Sequence, residues 1–310
     1  MEGPLARLLA TQHPVILDGA MGTELQSRGV DIGLPLWSAN ALLTSPETVR
    51  QIHEDYIRAG ADIITTDTFR TTQRTFRRAG IPDRSAELTA LAVALAKEAR
   101  DAFPDRSILI AGCVAPLEDC YHPELVPSEE ELRSEHVEHA QRLSAAGVDL
   151  LLLETMGTVR EARAAAKAAH ATGKEFIVSF ICNEKGDLLG GDSLGNGVAA
   201  VAPFGPSAIS INCVSPRYID RAIQSMNAAM GALHNQRTLP VGVYANVGVP
   251  GDEDSEKLVR DVDTDEYVSY VRRWLRAGVR IIGGCCGTGP EDIRLIALAV
   301  KQRREEREER

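Results

Sequence analysis

Eight short apolar runs recur along the chain, separated by stretches with helical spacing. Each run is continuous rather than alternating, which is typical of strands covered on both faces, as in a parallel sheet. The pattern therefore predicts eight buried strands joined by helices. The runs are VILDG at 15–19, DIITTDTF at 62–69, SILIAGCVAP at 107–116, VDLLLLETM at 148–156, EFIVSFIC at 175–182, SAISINC at 207–213, PVGVYAN at 240–246 and VRIIGGCC at 279–286.

Start and stop signals support the helices between these runs. Ser45 precedes a proline and an acid at the start of one helical stretch, and Ser128 precedes three acids at the start of another. Both are helix-start patterns, and acids in the first turn suit the helix dipole. Both stretches end in Ala-Gly before the next apolar run, which is a helix-stop signal.

Eight strand–helix units without an interrupting linker predict a single (β/α)8 TIM barrel. We expect it to fill residues 1–310 as one domain, with a charged helical tail from about residue 301. A doubly wound sheet is the alternative, but LDGAMGTEL at 17–25 lacks the GxGxxG turn that such a sheet favours. The longer loops, 19–45, 116–129, 183–196 and 246–263, follow strands and are expected on the catalytic face.

Composition narrows the class of partner. The net charge of −10 and the pI near 5.3 argue against nucleic acid or an anionic membrane as the main partner. No run approaches the roughly 18 apolar residues of a membrane span. Six cysteines in 310 residues are too few for a disulfide scaffold, so we expect reduced thiols and a cytoplasmic protein. Nothing in the sequence indicates an oligomeric state.

Polar and metal-binding side chains stand where the apolar runs stop. In a barrel these positions form the catalytic face, and the ends of the sixth and eighth strands can converge across its mouth. Three cysteines at those two ends could form a zinc site, since catalytic Zn²⁺ typically has three protein ligands and one exchangeable position. The strand-end residues are Asp18, Gly19, Thr66, Asp67, Thr68, Glu154, Thr155, Asn212, Cys213, Asn246, Cys285 and Cys286.

The adjacent Cys285 and Cys286 can face one metal only if the backbone leaves strand geometry, because successive strand residues point to opposite faces. Gly283, Gly284 and Gly287 can supply that freedom. A vicinal disulfide is the other special interpretation, but it is strained and disfavoured in a reducing compartment. The remaining cysteines are expected to act as small apolar residues; they are Cys113, Cys120 and Cys182.

Five motifs, in order, resemble the homocysteine S-methyltransferase family: LDGAMGTEL, AGADIITTDTF, LLLETM, INC and GGCCGT. That family includes the S-methylmethionine and betaine enzymes and the homocysteine-binding module of cobalamin-dependent methionine synthase. The similarity runs from about residue 12 to about residue 300, and GGCC with the upstream NC is its specific part. The resemblance implies a (β/α)8 barrel that transfers a methyl group to homocysteine, with Zn²⁺ on Cys213, Cys285 and Cys286.

The resemblance also implies a substrate pocket. Asp18 and Glu154 match the acids that hold the amino end of homocysteine, with Gly19 beside them. Asn246 matches the family's asparagine after the seventh strand, although the common Pro-Asn pair is Ala-Asn here. Asp67 stands where many members have asparagine. These last two departures affect the shape of the pocket and leave the cysteines intact.

The methyl donor is less clearly indicated. A folate- and cobalamin-using synthase needs further domains, and no glycine-rich nucleotide loop is visible for S-adenosylmethionine, although that sulfonium could still bind. Betaine calls for an aromatic cage around its quaternary ammonium. Trp37 matches the family's donor-side tryptophan, but Arg70 and Thr155 stand where betaine enzymes resemble one another in offering tyrosine. S-methylmethionine is therefore the favoured donor.

Other functions stay open. A module that binds homocysteine and zinc for a separate corrinoid or folate partner, or a non-catalytic thiol or zinc sensor, would keep the same site. A phosphate-binding barrel could use GGCCGTGPED as its glycine loop, but it gives Cys213 no role. A Schiff-base aldolase is disfavoured because none of the six lysines ends a strand.

Overall fold

Eight parallel strands alternate with helices in a computed structural model that describes residues 3–11, 13–232, 239–249 and 259–308. Each of the eight predicted runs contains one of these strands, so the strand prediction is confirmed. The strands are β1 (Val15–Ile16), β2 (Ile63–Thr65), β3 (Leu109–Val114), β4 (Leu150–Met156), β5 (Glu175–Phe180), β6 (Ala208–Asn212), β7 (Val241–Ala245) and β10 (Ile281–Gly284).

The sheet curls into a barrel. Its strand order is β1-β10-β7-β6-β5-β4-β3-β2, and every neighbouring pair is parallel. Leu17, just after β1, forms a parallel bridge with Ile63 of β2, which brings the two ends of the sheet together. The predicted (β/α)8 TIM barrel is confirmed, and the carboxyl ends of all eight strands share one face.

Helices surround the barrel and bury their apolar sides against it. Ser128 forms the capping box expected at the start of α7. None of the helices within the described ranges is long and apolar enough to cross a membrane. The helices are α1 (Pro4–Ala10), α2 (Gly22–Ser27), α3 (Ala41–Thr44), α4 (Pro46–Ala59), α5 (Gln73–Arg78), α6 (Ser85–Asp101), α7 (Glu129–Ala146), α8 (Val159–Ala171), α9 (Leu194–Val201), α10 (Pro216–Ala232), α11 (Thr264–Arg276) and α12 (Pro290–Glu308).

Helix α1 closes the amino-terminal end of the barrel and was not predicted. Leu5 and Leu9 pack with the inward-facing residues of the strands in one apolar cluster. The carboxylate of Glu175 accepts hydrogen bonds from the backbone N–H groups of Leu5 and Ala6, both at 2.8 Å. These bonds satisfy two of the unpaired N–H groups at the helix start. The carboxyl-terminal end is left for the functional site.

A two-stranded antiparallel hairpin in the loop after β7 was also not predicted. It pairs β8 (Gly248–Val249) with β9 (Val259–Arg260). The guanidinium of Arg260 donates to Asp292 of α12 at 2.7 Å, which anchors the hairpin to the carboxyl-terminal face. The rest of the predicted loop 246–263 includes residues 250–258, which lie outside the described residues.

Candidate metal and substrate site

Three cysteine sulfurs meet at the carboxyl ends of β6 and β10. Cys213 directly follows β6, while Cys285 and Cys286 directly follow β10. The three Sγ atoms lie within 4.8 Å of one another, and those of Cys213 and Cys286 are 3.8 Å apart. The structure thus brings together the three thiols singled out from the sequence.

The spacing of these sulfurs suits a zinc ion. Two sulfurs bound to a tetrahedral Zn²⁺ at about 2.3 Å lie about 3.8 Å apart, which matches the Cys213–Cys286 separation. Among the described residues, no other histidine, cysteine, aspartate or glutamate joins this cluster. A metal held here would keep one position for a substrate atom, as catalytic zinc sites do.

The backbone leaves strand geometry where the sequence predicted a break. Strand β10 ends at Gly284, and Cys285 and Cys286 lie in a turn closed by a hydrogen bond from the N–H of Thr288 to the carbonyl of Cys285, at 3.0 Å. Gly287 has a φ of 83°, a left-handed conformation that favours glycine. The turn lets both thiols reach the same point.

Two of the three glycines in this hinge act differently from the prediction. Gly283 and Gly284 do not have left-handed φ values; they provide room instead. A Cβ on Gly283 would lie 2.9 Å from the carbonyl oxygen of Asp18, and one on Gly284 would lie 2.6 Å from the Cβ of Thr288. Gly283 and Gly284 are needed because neighbouring atoms pack too closely to leave room for a side chain. The left-handed backbone conformation is adopted by Gly287.

Asn246 supports the cysteines. Its Oδ1 accepts the N–H of Cys286 at 3.1 Å, and Asn246 does not line the pocket described below. The pKa of Cys213 lies well below its usual value, chiefly because Cys285 and then Cys286 hydrogen bond to its sulfur, with Tyr121 and Asn246 adding to the effect. The Tyr121 hydroxyl lies 3.0 Å from the Cys213 Sγ. The surroundings therefore favour a thiolate at Cys213.

A pocket of about 730 Å³ opens over the cysteines at the mouth of the barrel. Every strand-end residue singled out from the sequence lines it, as does Trp37, with the exceptions of Thr68 and Asn246. Gly19 packs against Tyr56 so closely that a Cβ would lie 2.8 Å from the tyrosine ring. The pocket is large enough for two small substrates, since ligand pockets commonly span roughly 300–1,000 Å³.

Two acids in this pocket have raised pKa values. The Asp18 carboxylate accepts hydrogen bonds from Thr65, from its N–H at 2.6 Å and its hydroxyl at 3.0 Å. Burial nevertheless raises the pKa of Asp18 to about 8, and the nearby charge of Glu154 adds to the rise. Burial likewise raises the pKa of Glu154 to about 7. A bound ammonium group would favour the ionised form of both acids.

Cys113 and Cys120 do more than the apolar filling that the sequence suggested. Cys113 is buried, but its thiol donates to Oε2 of Glu154 at 3.0 Å and it lines the pocket. Cys120 is only half-buried and also lines the pocket. Cys182 is buried as expected. The position of Cys113 inside an apolar run, rather than at its end, concealed its contact with Glu154.

Backbone strain is concentrated in this pocket. Trp37, Thr155 and Cys213 have φ values of 47°, 60° and 55°, and they are the non-glycine residues with positive φ in the described ranges. All three line the pocket. Asn212 holds Thr155 in place, because its Oδ1 accepts the Thr155 N–H and its Nδ2 donates to the Thr155 hydroxyl, both at 3.0 Å. Such strain is typical of functional sites.

A barrel with three converging thiols and two high-pKa acids at its mouth has the features of a TIM-barrel enzyme whose site lies at the carboxyl ends of the strands. The sequence profile of the homocysteine S-methyltransferase family matches residues 15–300. The chain belongs to the homocysteine S-methyltransferase family. The resemblance seen in the sequence, and the methyltransferase class that it implied, are confirmed.

Individual relatives cover nearly the whole chain. The homocysteine S-methyltransferase of Escherichia coli (strain K12) is 34% identical in an alignment of 308 positions that covers 94% of this chain and 97% of that protein. Homocysteine S-methyltransferase 4 of Zea mays is 33% identical and covers 93% of this chain and 89% of that protein. The crystal structure of the homocysteine methyltransferase MmuM from Escherichia coli in its metallated form superposes with a TM-score of 0.79, at 32% identity, over 96% of this chain and 99% of that chain.

Proposed function

We propose that this protein transfers a methyl group from a small onium donor to the thiol of homocysteine, giving methionine, with Zn²⁺ bound by Cys213, Cys285 and Cys286. The observation that carries the proposal is the meeting of three thiols within 4.8 Å beneath a pocket that also contains Asp18 and Glu154. Membership of the family supports homocysteine as the acceptor. The need for reduced thiols suits the cytoplasm.

The cysteines would hold the metal and leave one position for the sulfur of homocysteine. A free thiol is a poor nucleophile at neutral pH because only a few per cent of it is ionised. When bound, zinc supplies the deprotonation of the substrate thiol at neutral pH. Three cysteine thiolates outweigh the two positive charges of the ion, so the chain's own ligands make this end of the pocket electronegative and favour a cationic donor.

The two acids would orient the acceptor. Asp18 and Glu154 line the same pocket as the cysteines, and together they can pair with the ammonium group of an amino acid. That pairing would direct the substrate's side chain toward the three sulfurs. Neither acid is needed as a general base, because a thiol that is already ionised has no proton to give up.

S-methylmethionine is the donor that we propose. The rings of Trp37 and Phe69 lie edge to face with their centroids 5.6 Å apart, and aromatic faces bind onium groups. Arg70 and Thr155, which stand where betaine enzymes resemble one another in offering tyrosine, line the same pocket without aromatic rings, which disfavours betaine as the donor. The pocket also has room for two amino-acid-sized molecules.

Metal analysis of anaerobically purified protein, followed by methionine formation from homocysteine, tests the proposal. S-methylmethionine, betaine and S-adenosylmethionine would be compared in parallel. We expect about one zinc per chain and turnover with S-methylmethionine. Zinc without turnover would instead support a module for a corrinoid or folate partner, or a sensor. Protein with reduced thiols and no zinc would overturn the proposal.

A further inference from the structure

One wall of the pocket joins a strained backbone to an aromatic pair. Trp37 begins a short 3-10 helix, Trp37–Asn40, with a φ of 47°. Its ring rests on Gly22, where a Cβ would lie 2.4 Å from the ring, and it meets Phe69 edge to face. The strained backbone thus fixes an aromatic face in the pocket.

The residue after Trp37 fixes a carboxylate in the same wall. Ser38 is buried, and its hydroxyl donates to Oδ1 of Asp67 at 2.6 Å. The Asp67 side chain is only 2% exposed, and its Oδ2 has no hydrogen-bond partner. Arg70 also lines the pocket, but its guanidinium lies over the Phe69 ring, 5.9 Å from the ring centroid. A buried carboxylate oxygen without a partner is costly, and a bound cation would relieve that cost.

We propose that Asp67 is a specificity-determining residue that balances the positive charge of the methyl donor, in the pocket wall that also carries Trp37 and Phe69. The inference rests on the proposed function and names the residue that selects the donor. A carboxylate beside aromatic rings is a combination that recognises onium ions. A neutral donor would leave Asp67 unpaired, which selects against it.

The donor loses its positive charge during the reaction, and this change predicts how Asp67 affects KM and kcat. The methyl–sulfur bond of the donor breaks, its electron pair stays on the donor sulfur, and a new carbon–sulfur bond forms to the homocysteine thiolate. The donor therefore changes from a cation to a neutral thioether. Asp67 stabilises the bound cation more than the transition state, in which that charge is already declining. Removing its charge should raise KM for the donor without lowering kcat.

Asp67→Asn, which keeps the shape of the side chain, tests this role against Asp105→Asn. Asp105 is exposed in the turn before β3 and does not line the pocket, so the same change there removes a charge away from the site. In zinc-loaded protein we expect Asp67→Asn to raise KM for S-methylmethionine at least about tenfold, with kcat not reduced and KM for homocysteine within about twofold. Asp105→Asn should match the wild type. An unchanged KM for the donor, or a rise in KM for homocysteine instead, would overturn the inference.

Calorimetry separates this inference from the proposed function. We expect wild-type protein to bind trimethylsulfonium, a cation with no amino or carboxyl group, and Asp67→Asn to bind it at least about tenfold more weakly. If no onium donor supports turnover, the proposed function fails, but this comparison still decides the role of Asp67. Equal binding by both proteins would overturn that role. Should Asp67→Asn fail to fold, Asp67→Ser provides the same test, because it also removes the charge while keeping a polar side chain.

Discussion

Replacing Glu154 with glutamine tests how the acceptor is held. The change removes a charge from the pocket but keeps the shape of the side chain, and the amide oxygen can still accept the Cys113 thiol, 3.0 Å away in the wild type. The proposed pairing with an ammonium group is a charge-assisted hydrogen bond. Such bonds contribute about 1.5–3 kcal/mol, so the variant should bind the amino acid about 10–150-fold more weakly.

The pH dependence sharpens this prediction. Because the pKa of Glu154 is raised to about 7 and that of Asp18 to about 8, both acids become neutral as the pH falls through this window. An ammonium ligand stays charged there, so wild-type affinity should decline as the pH falls from about 8 through 7, where first Asp18 and then Glu154 becomes neutral. The difference between wild type and Glu154→Gln should therefore be largest at pH 8 and should nearly disappear by about pH 5.5.

Methionine is the appropriate ligand for this measurement, since it has the amino-acid end of homocysteine but no ionisable thiol. Isothermal titration calorimetry at several pH values would give its affinity for wild-type protein, Glu154→Gln and the exposed-charge control Asp105→Asn. An unchanged affinity in Glu154→Gln at pH 8 would refute the ammonium pairing. A loss that persists equally at low pH would show that the glutamine disturbs the pocket by some means other than charge.

Three further predictions concern the metal centre. Cys285→Ser and Cys286→Ser should each lose zinc, measured by elemental analysis, together with activity; full activity in a metal-free variant would end the proposed mechanism. Asn246→Ala removes the acceptor of the Cys286 N–H and should weaken zinc binding by about 10–100-fold, measured by competition with a chelator, whereas unchanged affinity would deny it that supporting role. Gly284→Ala would place a Cβ 2.6 Å from the Cβ of Thr288 and should lower the free energy of unfolding in urea by about 1–3 kcal/mol; an unaltered unfolding midpoint would contradict the close-packing argument.

The barrel could be predicted from the sequence because the signals for its strands and helices are repeated along the chain. Continuous apolar runs, helix-start residues and Ala-Gly stops recur around the whole chain, so the fold does not depend on any single segment. Cys213, Cys285 and Cys286 were found for a similar reason. They stand at strand ends, and the ends of parallel strands in a barrel must share one face.

Contacts made by irregular segments could not be read from the sequence. The position of Tyr121 against Cys213 depends on the conformation of the loop between β3 and α7, which no periodic pattern specifies. The described strands of the β8–β9 hairpin have two residues each, too few for alternation to be recognised. Helix α1 depends on Glu175, a partner about 170 positions away in the chain.

The three strained residues of the pocket have a consequence for anyone who engineers this protein for heat resistance. Glycine at Trp37, Thr155 or Cys213 would relieve a backbone conformation that costs of order 1–3 kcal/mol at each site. A screen that rewards survival on heating, and nothing else, would therefore favour substitutions at the positions where the proposed chemistry resides. Such a screen is expected to yield a more heat-resistant barrel without activity. These three positions should therefore be held fixed while the rest of the chain is allowed to vary.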